Sequence, residues 1–192
     1  MKKIGLTGGI GSGKSIVASI FASLHIPIYN SDFEAKRLMN SHSQIREKII
    51  DLLGEQAYSG NQLQKDVVAN AIFTDSNVRS KVNEIVHPIV REDFQLWASK
   101  QKSPYVIMES ALLFDSDLYT LFDKTIFVNC PLEKRIEQVM KRDSCSRESV
   151  IQRIEMQPDV EFCLQKTHYV VENNNTFVIP QVLEIHKSIL TI

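Results

Sequence analysis

Eight residues near the amino end, Gly8-Gly9-Ile10-Gly11-Ser12-Gly13-Lys14-Ser15, satisfy the spacing G-x-x-x-x-G-K-[ST] at every position. Five of the chain's seven glycines fall between Gly5 and Gly13. Glycine puts no Cβ between the main chain and an approaching anion, so successive N–H groups can turn inward as a nest. A helix opening near Lys14 adds the positive end of its dipole. Lys14 then supplies a mobile point charge for the β- and γ-phosphates of a nucleoside triphosphate, and the Ser15 hydroxyl is a hard oxygen ligand for Mg²⁺. Gly8 through Ser15 are therefore the expected triphosphate cradle, with Thr7 beside it. The loop alone leaves kinases, GTPases, ATPase motors and nucleotide switches open.

Other residues narrow that choice. A guanine-reading N-K-x-D is absent from the chain, and the D-x-x-G at Asp51–Gly54 falls inside an expected helix, where it reads as chance. A small-molecule kinase fits better, and its acceptor hydroxyl needs a carboxylate near the loop. Asp32 follows the second expected strand, at the edge where open α/β sheets bind ligands. It could instead only charge a helix start, but Ser31 and Glu34 have the spacing of a capping box and would leave it free for the cleft. Glu109 ends the strand YVIME and is placed to hold Mg²⁺ through water; Asp115 is a weaker candidate of the same kind. Arg135, Lys141, Arg142, Arg147 and Arg153 cluster across two short helices. A solvated charged face is the plain reading of such a run. The functional one is a hinged arginine-bearing pair that neutralises charge on a transferred phosphoryl group and excludes water, with Arg142 foremost and Arg147 and Arg153 next. His87, before Pro88 in an apolar helical stretch, reads first as a core residue, with no second histidine or cysteine nearby to suggest a metal.

The elements that must position these residues are legible from periodicity. Lys2–Thr7, the PIYN segment from Pro27, Tyr105–Glu109, Thr125–Cys130 and Tyr169–Val171 read as short strands. Ser15–Leu24 reads as a helix with Ile16, Val17, Ile20, Phe21 and Leu24 inward. Further helices are expected from Ser31 to about Met39, over Ile45–Leu53 up to Gly54, over Leu132–Arg142 and Ser146–Met156, and around Val182, Ile185 and Ile189. Gly60-Asn61 reads as a turn, and residues 63–100 as mostly helical with a break or new start at Pro88. Strands alternating with helices predict a parallel sheet covered on both faces, and the helical stretch from 32 to 100 is too long for one crossover.

Composition bounds the rest. The chain has 192 residues, 43% of them hydrophobic, and a net charge of −1, so one core is expected and no global field for nucleic acid. Cys130, Cys145 and Cys163 form neither a metal pattern nor a disulfide framework, which predicts reduced thiols. With no membrane-length apolar run and no secretory pattern at the start, a cytoplasmic protein is expected.

Taken in order, these segments resemble the dephospho-coenzyme A kinase family nearly end to end. The resemblance rests on GLTGGIGSGKS, NSDFEAKRL, LQKDVVANAIF, NEIVHPIV, ESALLFD, VNCPLEKRIEQVMKRD, SRESVIQRIEMQ and HYVVENN. It implies an α/β three-layer P-loop kinase fold with a parallel sheet, a helical insertion and a small helical lid. The core would be residues 1–31, 101–140 and 159–192, the dephospho-CoA-binding domain 32–100, and the lid 141–158. It also implies phosphorylation of the ribose 3′-hydroxyl of dephospho-CoA by Mg²⁺-ATP; a monomer or weak homo-oligomer is expected. Asp32 matches the family carboxylate that takes or orients the hydroxyl proton, and Arg142 matches the lid arginine. Asn173 and Asn174 match the segment near the adenine, and His87 gains a place lining the substrate domain. Three departures stand out. Asn30-Ser31-Asp32 replaces the usual Asp-Ala-Asp, Ala111–Asp115 replaces Pro-Leu-Leu-Phe-Glu, and Lys65-Asp66 stands where basic residues are common.

Overall fold

The computed structural model describes residues 1–114 and 117–191; Asp115 lies outside the described residues. The chain runs β1 (Lys2–Gly8), α1 (Lys14–Ser23), β2 (Ile28–Asn30), α2 (Ser31–Ser41), α3 (Ser43–Leu53), β3 (Tyr58–Ser59), β4 (Gln62–Leu63), α4 (Lys65–Thr74) and α5 (Ser76–Ser99). It continues through β5 (Tyr105–Glu109), β6 (Lys124–Asn129), α6 (Leu132–Asp143), α7 (Arg147–Glu155), α8 (Val160–Lys166), β7 (Tyr169–Glu172) and α9 (Val178–Thr191). It divides into two compact units, one of Met1–Asn30 with Gln101–Ile192, the other Ser31–Lys100.

The first unit is built on a five-stranded sheet in the order β2-β5-β1-β6-β7. Every pairing in it is parallel. Parallel strands need covered faces, and all five residues of YVIME are buried. Ile4, Leu6, Tyr105, Ile107, Ile126 and Val128 pack one face against Val17 and Phe21 of α1 and Val182 and Ile189 of α9. Each such fully buried side chain stabilises the fold by about 1.5–3 kcal/mol. The register carries this rigidity to the carboxyl edge, where Asn30 and Leu6 both align with Glu109 and Gly8 aligns with Val128. One expected inner residue is not inside: Ile16 is 56% exposed. Val17, Ala18 and Phe21 define the buried stripe of α1, and Ile16 sits about 100° round the helix from Val17.

The second unit is helical. Its axis is α5, which runs unbroken through Pro88, contrary to the expected break. Val82, Val86, Val90, Phe94 and Ala98 are all buried and recur every fourth residue on both sides of the proline. Burying them outweighs the roughly 3 kcal/mol that an interior proline costs. The helices α2, α3 and α4 pack on α5. Arg37 ties α2 to α5 through two 2.8 Å bonds to Asp93 and also engages Glu34. Glu34 thus serves an ion pair, where a capping box was expected, and α2 begins at Ser31 itself. Asp51–Leu53 ends α3, and Gly54 closes it at φ 85°, so the D-x-x-G match is a helix terminus. The hairpin β3–β4 around Gly60-Asn61 and the helix α8 were not legible as such. Two-residue strands have no alternation to read, although Asp159 does cap α8 by accepting from Glu161 and Phe162 N–H.

Candidate functional site

The loop between β1 and α1 lies at the carboxyl edge of the sheet, where the crevice of a doubly wound fold forms. Gly13 precedes α1 at φ 93°, a left-handed conformation that favours glycine. A Cβ there would also lie 2.6 Å from Asn173 Nδ2. The start of α1 has no side-chain cap and no acidic residue in its first turn. That turn instead holds Lys14, a cation at the positive end of the dipole. Such an arrangement is unfavourable alone and favourable around an anion. Lys14 Nζ donates to the carbonyls of Gly8 at 2.7 Å and Gly9 at 3.1 Å, bracing the loop from inside.

Strand ends supply the next layer. Ser15 Oγ donates to Glu109 Oε1 at 3.0 Å, and Asn30 Nδ2 donates to the other carboxylate oxygen at 2.9 Å. Glu109 is buried. A hydroxyl beside an oriented carboxylate is an oxygen donor set that suits a hard divalent cation. Among the described residues no group of three or more His, Cys, Asp or Glu side chains is disposed to hold a metal by itself. Asn30 orients Glu109 through its 2.9 Å bond.

On the far side of the loop, Asn173 Nδ2 donates to the Ser12 carbonyl at 2.8 Å. Asn173 is itself fixed by the Asn129 carbonyl on its N–H and by Lys134 on its own carbonyl. Asn174 is exposed. Thr7 is buried beneath the loop.

Two side chains hold the middle of the loop: Arg135, expected in the basic cluster with Arg142, and Gln157, to which the sequence reading gave no role. Arg135 Nε donates to the Ile10 carbonyl at 3.0 Å, and Ile10 N–H donates to Gln157 Oε1 at 2.8 Å. Arg135 Nη2 reaches the same Gln157 oxygen at 3.1 Å. Burial pulls the Arg135 guanidinium below its ordinary pKa. It lies against Gly9, where a Cβ would come within 2.2 Å of Nη2. A signal for Arg135 existed: in α6 it stands beside Ile136 and four residues before Val139, on the buried stripe. Arg135 and Gln157 also line a cavity of about 300 Å³ with Thr7, Gly9, Phe114 and Cys163. Burial raises the Cys163 thiol to about 11, so it is neutral at physiological pH and no nucleophile.

Arg142 and Arg153 both pair with Asp143, at 2.7 and 2.9 Å, and hold its carboxyl below the usual range. Arg147 makes a two-point contact with Glu133 at 2.8 and 2.7 Å. Ser146 caps α7 by accepting from Ser149 N–H. In the helical unit, Asp32 is exposed in the first turn of α2, two residues after β2 ends, and His87 is half-buried on α5.

The site's elements match known proteins along almost the whole chain. The sequence pattern of the family described as dephospho-CoA kinase matches residues 2–178. A dephospho-CoA kinase of Bacteroides fragilis is 40% identical over 185 residues, covering 95% of this chain and 90% of that protein. A crystal structure from Thermus thermophilus superposes with a TM-score of 0.84 at 31% identity, covering 99% of this chain and 96% of that one. The dephospho-CoA kinase of Campylobacter jejuni shares the fold, with a TM-score of 0.70 at 22% identity over 98% of this chain and 97% of that one. With a P-loop kinase fold and a family match from β1 into α9, the chain belongs to the dephospho-CoA kinase family.

Proposed function

We propose that this chain carries out its family's reaction, ATP-dependent phosphorylation of the ribose 3′-hydroxyl of dephospho-CoA to give CoA and ADP, with the residues named above in the following roles. The observation that carries the reading is the braced, glycine-rich loop opening onto an uncapped helix with Lys14 in its first turn. Loop amides and Lys14 bind the triphosphate and take up charge as the γ-phosphoryl group transfers. Ser15 and Glu109 would hold Mg²⁺, which when bound neutralises charge on the β- and γ-oxygens. The 3′-hydroxyl oxygen attacks the γ-phosphorus in line, its proton passes to the Asp32 carboxylate, and the β–γ bridge oxygen leaves with ADP. Arg142, with Arg147 and Arg153, comes from residues 141–158 acting as a lid, and leaves its carboxylate partner to meet the transferring group. Asn173 and Asn174 flank the adenine of ATP. The helical unit takes dephospho-CoA, with His87 among its lining residues.

The protein acts on small molecules as a cytoplasmic monomer or weak homo-oligomer, without nucleic acid. Its near-neutral charge supports this, and no helix among the described residues is long and apolar enough to cross a membrane.

An acceptor screen tests the reading. ADP release should depend on dephospho-CoA and not on nucleoside monophosphates, gluconate or shikimate. ATP binding with no acceptor-dependent turnover would identify a nucleotide switch instead. Asp32→Ala should retain ATP binding and lower kcat by about 10²-fold or more. Near-normal turnover in that variant would remove Asp32 from the mechanism.

A further inference from the structure

Ile10 sits mid-loop, and everything it offers is taken by other elements. Its carbonyl accepts from Arg135 and its N–H donates to Gln157. Its side chain packs on the Ile136–Val139–Val150 cluster formed by α6 and α7. Its amide is therefore not one of those turned toward an anion. The Gln157 oxygen closes the ring, since it accepts from Ile10 and Arg135 at once.

A glycine-rich loop has more conformational freedom to lose than any other segment of equal length. Affinity falls by the cost of ordering it unless the fold has ordered it already. Here the ordering comes from a buried cation and a side-chain amide distant in sequence, and both line the cavity together with Gly9. We propose that Arg135 and Gln157 are positioning residues that hold the phosphate loop in its anion-binding shape through Ile10, before nucleotide arrives. The inference rests on the nucleotide-binding reading of the loop and adds to it where that shape originates.

The test is calorimetric titration of the full chain with ATP, alongside steady-state kinetics. Gln157→Leu keeps the bulk but strands the Ile10 N–H and an Arg135 donor, so the Kd and KM for ATP should rise about tenfold or more. The kcat at saturating substrates should stay within about threefold, because the loop once filled is held by the phosphates themselves. Gln157→Glu supplies an acceptor at the same place and should recover most of the lost affinity. Equal weakening by Leu and Glu, unchanged affinity in Leu, or a loss confined to kcat would each overturn the proposal. Should Gln157→Leu fail to fold, amide exchange in the nucleotide-free wild-type protein decides. The Ile10 N–H should be protected, and exchange at the rate of an open loop overturns the idea. Lys14→Ala separates the two levels of inference. Intact ATP affinity in that variant sinks the loop reading itself, whereas its loss beside an unaffected Gln157→Leu sinks only the positioning role.

Discussion

The phosphate loop and the arginine-bearing helices α6 and α7 both present positive charge, but they hold it in opposite ways. Around the loop, Lys14, Arg135, Asn173 and Ser15 bond to main-chain carbonyls or to a buried carboxylate, and Glu109 and Arg135 are almost wholly inside. On the helix pair, Arg142 and Arg147 are about half or more exposed, and their partners Asp143 and Glu133 lie on the same pair. Buried, fully bonded groups are costly to disturb, while exposed ion pairs contribute little and exchange partners easily. One region is fixed by buried bonds to main chain and carboxylate, and the other holds its charges in exposed ion pairs.

That contrast can be broken most severely at Lys14. Lys14→Ala should lower turnover by about 10³-fold, the range for losing a fixed charge at a developing oxyanion, in an assay of ADP release. An effect under tenfold would mean that the loop amides alone suffice. Gly9→Ala comes next, because its new Cβ must displace the Arg135 guanidinium, now within 2.2–2.8 Å of that point. It should cost about 1–3 kcal/mol in chemical denaturation and weaken ATP binding as well. Arg142→Met should act on one quantity only: kcat falls by tens of fold while the melting temperature barely moves, since the side chain is 62% exposed. A matching loss of stability would show that the helix pair is as tightly built as the loop.

The smallest effect serves as a control far from both regions. His168 accepts from Thr125 N–H at Nδ1, and burial followed by the charge of Lys124 lowers its pKa. A group depressed on folding stabilises the protein above its unfolded pKa of about 6.5, and that contribution is lost as pH falls through the lower folded value. Between pH 7.5 and 5, wild-type stability should fall slightly more than that of His168→Asn, with ATP affinity alike in both. An equal or smaller fall in the wild type would assign the local contacts to the protonated ring.

Local pattern determined a good deal by itself. The phosphate loop, YVIME with its terminal carboxylate, the stripe of α5 and the caps of α7 each depend on residues a few positions apart, and periodicity reports such relations directly. What only the tertiary structure decided is which distant groups meet. Glu109 reaches Ser15 across 94 positions and Asn173 reaches Ser12 across 161, while Arg135 and Gln157 converge on Ile10. Pro88 inside an unbroken helix and Ile16 left outside belong to the same class. In each case the outcome was set by packing against parts of the chain that no local window contains, where the energy of burial exceeds the local preferences that a sequence displays.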